Sequence, residues 1–136
     1  MESWPELPER LNELTYKIIG AAMAVHQALG AGLLERVYEN ALGVELERQD
    51  IPFQRQVPVQ VMYKGVQVGK GSIDLLVDET VVVELKVVRR IVDAHVAQVL
   101  TYLQAGGYPL GLILNFGVAR LKDGGIRRVI LSHKGY

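Results

Sequence analysis

Apolar residues recur at helical spacing over residues 7–29, at Leu11, Leu14, Ile18, Ala22, Val25 and Leu29. That period predicts an amphipathic helix. Gly30-Ala31-Gly32 ends it, because glycine reaches left-handed dihedrals at little cost. A second helix is expected over residues 33–48, with a less regular apolar face of Leu34, Val37, Ala41, Val44 and Leu46. Ile51-Pro52 closes it. Residues 53–63 then read as a strand with Val57, Val59 and Val61 on one face, and Pro58 argues for an edge position or a bulge. After the Lys64-Gly65 turn the chain returns through Val66 and Val68. Gly69 and Gly71 bracket Lys70 and predict a kink or a close backbone approach.

The central stretch, residues 72–88, is two Val/Ile/Leu runs joined by a short polar turn. A hairpin centred on Glu79 pairs Val77 with Val81, Leu76 with Val82, Leu75 with Val83 and Asp74 with Glu84. Two carboxylates directly opposite each other are repulsive. Lys86 falls on the same face as Glu84, since side chains alternate along a strand. Something must compensate the facing acids, and a divalent metal is the candidate.

Asp93 is the expected N-cap of a third helix over residues 94–105, with an apolar stripe of Val96, Val99, Leu100 and Leu103. His95, Gln98 and Tyr102 stack on its other side at three- and four-residue spacing. Gly106-Gly107 ends this helix. Residues 110–116 read as a short, apolar strand, fully buried in appearance, as a strand after a helical crossover should be. Asp123-Gly124-Gly125 marks a last turn before a final strand over residues 126–131. Two helices, an antiparallel meander and a helical crossover into further strands make an α/β sandwich with a mixed sheet.

Composition narrows the chemistry. The 136 residues suit one domain spanning 1–136. Lys+Arg and Asp+Glu both number 15, which argues against coating nucleic acid by bulk charge. There is no cysteine, so a metal must be held by carboxylates, carbonyls or imidazole, which favours Mg²⁺ or Mn²⁺. The first six residues lack the charged and apolar regions of a signal peptide, and no apolar run approaches the ~20 residues of a membrane span. A cytoplasmic location is the expectation.

Asp74, Glu84 and Lys86 carry the strongest signal. Two facing carboxylates can bridge a metal while a lysine two residues along holds or deprotonates a water, the equipment for metal-assisted phosphodiester hydrolysis. The bland alternative is a half-exposed strand face with a Lys86–Asp74 ion pair, which is worth little. Glu35, in the first turn of a helix, is ordinary dipole compensation on spacing alone. Gln98 and Tyr102 read as a solvated stripe, and His26 as a satisfied core histidine. Arg89-Arg90, Lys64, Lys70, Arg120, Arg127 and Arg128 are scattered. A few could reach phosphate, and most serve solvation.

Asp74 followed by Glu84-Leu85-Lys86 resembles the D…(D/E)-x-K core of the PD-(D/E)XK nuclease superfamily, the restriction-endonuclease-like fold. Gly32-Leu33-Leu34-Glu35-Arg36-Val37-Tyr38 is similar to the G-x-x-E-x-x-Y signature of the GxxExxY proteins within it. Gln98-Val99-Leu100-Thr101-Tyr102 is similar to the Q-x-x-x-Y motif of the RecB-like nucleases, and Asn115-Phe116-Gly117 fits a GxxExxY strand end. Ile73 stands where many members have proline before the aspartate. The resemblance implies a restriction-endonuclease-like sandwich with helices flanking a mixed central sheet. It further implies a Mg²⁺- or Mn²⁺-dependent nuclease. In that reading Asp74, Glu84 and the Leu85 carbonyl hold the metal with help from Glu35. Lys86 activates or positions water, Gln98 and Tyr102 border the catalytic centre and contact substrate phosphate or the lysine, and Tyr38 joins them on the substrate side, supporting Glu35, with the core nearly as good a place for it.

Nucleic acid, DNA more than RNA, is the implied partner, and a homodimer would join two modest basic patches. The main competing reading is a binding module that keeps the fold but does not cut. A hydrolase of another phosphate ester is the other, and the absence of a G-x-x-x-x-G-K loop lowers a nucleotide-binding variant of it.

Overall fold

The computed structural model describes residues 8–131. Helix α1 runs Glu9–Leu29 and α2 Glu35–Arg48. The sheet is built from β1 (Phe53–Tyr63), β2 (Val66–Val77), β3 (Val81–Lys86), β4 (Leu110–Asn115) and β5 (Ile126–Val129), with helix α3 (Asp93–Gly106) between β3 and β4. The expected helix start at Leu7 and the first six residues lie outside the described residues.

The strands lie side by side in chain order, β1-β2-β3-β4-β5. Only β3 and β4 are parallel, because the α3 crossover returns the chain to the same edge; the other neighbours are antiparallel. Pro58 sits on edge strand β1, the place in a sheet where a residue without an N–H is tolerated. The central hairpin has the predicted register, with Val77 opposite Val81, Leu76 opposite Val82 and Leu75 opposite Val83. Asp78 and Glu79 in its turn both take positive φ, 53° and 52°, the sign that primed hairpin turns require.

The sheet is covered on both faces. One core joins Leu14, Ile18, Ala22 and Val25 of α1 and Tyr38, Leu42 and Leu46 of α2 to Leu75, Val83, Leu85 and Leu114. The other joins Val99, Tyr102 and Leu103 of α3 to Val59, Ile73, Leu76 and Ile113. Such burial is the main force holding the layers together.

Three local expectations change. Helix α2 begins at Glu35, and its buried face is Tyr38, Glu39, Leu42, Gly43 and Leu46; Leu34 is 77% exposed, and Val37 and Val44 also face outward. Two contacts set this rotation. Tyr38 stacks on Phe116 at 4.3 Å, and Gly43 leaves room for the Phe53 ring. At α3, Val92 is the N-cap and Asp93 the first helical residue, where its charge complements the helix dipole. The Val92 N–H donates to His95 Nδ1 at 3.0 Å. The last strand stops at Val129, two residues early.

Candidate active site

Beyond the Leu75–Val83 pair the β2–β3 ladder stops, so Asp74 and Glu84 do not form the fourth rung that the hairpin pattern predicts. Side chains take over the backbone's hydrogen bonds. The Asp74 N–H donates to Glu84 Oε1 at 3.0 Å, and the Leu85 N–H donates to Asp74 Oδ2 at 2.9 Å. The two strands are thereby splayed and held apart by carboxylates.

The splay coincides with a change of face. Ile73 packs in the α3-side core and Leu75 in the α1-side core, although residues two apart in a regular strand share a face. Strand β1 switches with it: Phe53 packs against the α1-side core and Val57 against the α3-side core. Between them Gln56 takes φ 51°. Its Nε2 donates to Glu39 Oε1 at 2.9 Å and reaches Asp74 Oδ1 at 3.4 Å, while its Oε1 accepts from Ser72 Oγ at 2.8 Å. Glu39, buried on α2, also accepts from Arg55 Nε at 2.9 Å, and Arg55 Nη2 donates to Asn40 Oδ1.

Lys86 points to the α3 side. Its Nζ donates to Gln98 Oε1 at 2.9 Å, and Gln98 Nε2 donates to the Tyr102 hydroxyl at 3.1 Å. The Lys86–Asp74 ion pair of the bland reading does not form among the described residues. A Cβ at Gly71 would sit 2.6 Å from the Tyr102 ring, so glycine is what lets Tyr102 lie against β2.

The carboxylates share one electrostatic field. Glu84 is 3% exposed, and burial, followed by the Asp74 charge, pushes its pKa up to about 8 against the pull of the Asp74 N–H and Lys86. Burial also raises Asp74, with Glu39 adding to it and the Leu85 N–H opposing. Glu35, on the outer first turn of α2, is raised by burial and then by Asp74, with Lys86 opposing. Glu35 therefore feels the same acids and lysine from the opposite helical layer.

The model of the PD-(D/E)XK nuclease superfamily matches residues 12–129. The chain belongs to the PD-(D/E)XK nuclease superfamily. No curated protein and no solved structure matches it. Its mixed five-stranded sheet with helices on both faces is the restriction-endonuclease-like α/β arrangement. Superfamily membership points to nuclease-type function and a nucleic-acid substrate.

A divalent ion, usual for the PD-(D/E)XK superfamily, can be tested against the donor atoms. All candidates are oxygens, the ligand type that hard ions prefer. The Leu85 N–H points toward β2, and in an extended residue the carbonyl follows the N–H, so Leu85 also turns its oxygen into the splay. The Lys86 carbonyl points the other way, accepting from the Phe116 N–H at 2.8 Å. Among the described residues, however, no three His, Asp or Glu side chains converge as a ready-made cage. Asp74 and Glu84 each commit one oxygen to a backbone N–H instead. The donor chemistry fits, and ligation would require these acids to regroup.

Tyr38 lies in the core instead of lining a substrate surface: it is 0% exposed. Its hydroxyl donates to the Gly30 carbonyl at 2.5 Å and accepts from the Leu33 N–H at 3.0 Å, which fixes the loop leading to Glu35. Glu39, Gln56 and Ser72 were missed by sequence reasoning. The one available sign was that Arg55 and Gln56 break the alternation of β1. Asn115 was noted only as part of a motif. It is buried and staples the segment after β3, with Oδ1 accepting from the Val88 and Gly117 N–H groups at 3.0 and 2.9 Å and Nδ2 donating to the Val88 carbonyl at 3.0 Å.

Proposed function

We propose that the protein is a metal-dependent nuclease of the GxxExxY type, a single domain over residues 1–136 that hydrolyses phosphodiester bonds in DNA or a structured nucleic acid. The observation that carries this reading is the splay itself: Asp74 and Glu84 stand where the β2–β3 ladder opens, with Lys86 one turn of the pleat further along β3. Facing acids at a broken ladder cost stability, and substrate chemistry is the return.

Asp74, Glu84, the Leu85 carbonyl and Glu35 would hold a Mg²⁺ or Mn²⁺ ion. When bound, such an ion offsets charge on the phosphoryl oxygens and lowers the pKa of water. Lys86 positions the attacking water or takes its proton, and Gln98 fixes the ammonium through its 2.9 Å hydrogen bond. Tyr102 fixes Gln98 in turn. The Glu39–Gln56 pair restrains Asp74 from the outer side. Arg89 and Arg90, exposed just past β3, suit phosphate contacts. A cytoplasmic location and a homodimer that enlarges the binding surface complete the reading. No helix among the described residues is long and apolar enough to cross a membrane.

The test is a panel of duplex, single-stranded, flap and junction DNA with RNA counterparts, each incubated with Mg²⁺ and with Mn²⁺. Metal-dependent cleavage of at least one substrate, lost in Lys86→Ala, is expected. Inactivity on every substrate, with nucleic acid still bound, would replace the nuclease by a binding module.

A further inference from the structure

The last turns of α1 and the connection after β4 line an open pocket of about 410 Å³. That volume lies in the ~300–1,000 Å³ range of small-molecule sites. Met23, His26 and Gln27 line it from the helix, and Arg120, Leu121 and Lys122 from the connection. His26 is only 6% exposed, and its Nε2 has no hydrogen-bond partner among the described residues. Buried polar atoms are nearly always paired, so an unpaired one calls for an explanation.

The pocket is tied to the candidate active site through Phe116. The His26 ring lies 5.7 Å from the Phe116 ring, and the Phe116 N–H donates to the Lys86 carbonyl. Strands β3 and β4 are parallel and both end here. Ligands of open α/β sheets collect outside such carboxyl ends. The pocket thus shares an edge with Lys86 while facing the α1 layer.

Its lining suits an anion that carries an apolar body. Lys122 and Arg120 are cations, and the described lining contains no acid. Arg120 is partly neutralised by Asp123 at 2.7 Å, which leaves Lys122 as the stronger anion contact. Met23 and Leu121 supply apolar surface, and His26, whose Nε2 has no partner among the described residues, supplies a polar side chain together with Gln27. A nucleotide combines these features: an anionic phosphate, an apolar base face and a polar base edge. We infer that this pocket holds one nucleotide unit, with phosphate on Lys122 and Arg120, the base against Met23 and Leu121, and the base edge paired to His26. The unit comes either from a free nucleotide or from a substrate strand, and only the second source rests on the nuclease reading.

The full chain, without added metal, is titrated with nucleoside 5′-monophosphates, the matching nucleosides and inorganic phosphate by calorimetry. A monophosphate should bind about tenfold tighter than either part, a difference of ~1.4 kcal/mol. Lys122→Ala, at an exposed position, should weaken binding about tenfold. His26→Phe should flatten the preference among bases, and Asp74→Asn should leave binding unchanged. No binding by the wild type, no effect of Lys122→Ala, or loss in Asp74→Asn would overturn the assignment. Displacement of the nucleotide by a short single-stranded oligonucleotide assigns the pocket to the strand, and lack of displacement to the free nucleotide. Nucleotide binding retained in a protein that cuts nothing would overturn the nuclease reading alone.

Discussion

Asp74 and Glu84 hold each other's strand: the Asp74 N–H donates to Glu84 Oε1, and Asp74 Oδ2 accepts from Leu85, the residue after Glu84. The exchange replaces two ladder bonds with two carboxylate contacts and leaves buried Glu84 and half-buried Asp74 in a mutually repulsive position. In the proposed nuclease, stability and chemistry are therefore coupled at one point in the sheet.

That coupling predicts an unusual pH dependence. Glu84, Asp74 and Glu35 are all raised in the folded protein. The folded state therefore binds more protons than the unfolded one, and stability falls as pH rises. Their contribution is complete below the ordinary carboxylate range and is lost as pH climbs through the folded values, the highest being about 8 at Glu84. Each tenfold change in proton affinity is about 1.4 kcal/mol, so the melting temperature without divalent metal should drop by several degrees between about pH 5 and pH 8.5. A melting temperature that rises over that window would contradict the raised values.

Glu84→Gln keeps an oxygen for the Asp74 N–H but removes the charge. The variant should melt higher than the wild type at about pH 8.5 and equally at about pH 5, because Glu84 is already protonated there. Calorimetric titration should at the same time show Mn²⁺ binding lost in Glu84→Gln and in Asp74→Asn. Undiminished Mn²⁺ binding in both variants would remove these acids from the proposed metal site.

Much of this arrangement was legible in the sequence because apolar periodicity reports burial. The hairpin register followed from valines and leucines that must face a core, and the helices from their apolar period. The rung at Asp74 was not legible, since a pattern of side chains cannot show that a carboxylate has replaced a carbonyl as hydrogen-bond acceptor. The choice of the core for Tyr38 and the exposure of Leu34 were not legible for a related reason. A single aromatic stacking partner, Phe116, lies 78 residues away and rotates α2 against its own apolar count. Glu39 was invisible because a buried acid looks like a surface acid until Arg55 and Gln56 are seen to cover it.

Lys86, Gln98 and Tyr102 form a line of hydrogen bonds, and their substitutions should rank accordingly. Lys86→Ala should lower cleavage by about 10²–10⁴, the usual contribution of a proton-transferring group. Gln98→Leu keeps the ammonium but frees it, and should lower the rate by about tenfold to a hundredfold with a changed pH–rate profile. Equal activity of Gln98→Leu and wild type across pH would deny Gln98 a positioning role.

Asn115→Ala should destabilise without touching the acids. It strands the Val88 N–H, the Val88 carbonyl and the Gly117 N–H in a partly buried segment. Each unsatisfied group costs about 1–3 kcal/mol when water cannot reach it. Allowing for partial rehydration, a loss of about 3 kcal/mol in urea unfolding is expected. A change below about 0.5 kcal/mol would mean that Val88 and Gly117 find other partners.

Gly71→Ala separates position from stability most cleanly. The new methyl would lie 2.6 Å from Tyr102 Cε1 and 2.7 Å from its hydroxyl, so the ring must swing away from β2. The far end of a tyrosine moves more readily than backbone, and the stability loss should stay near the lower end of the ~1–3 kcal/mol typical of overpacking. The hydroxyl nevertheless leaves Gln98, and Lys86 loses its indirect anchor. Cleavage should therefore fall about tenfold or more while metal binding persists. In a Tyr102→Leu background the shorter side chain removes the clash, so Gly71→Ala should cost little further activity. Strictly additive losses in this double-mutant cycle would show that Gly71 and Tyr102 act on Lys86 by separate routes.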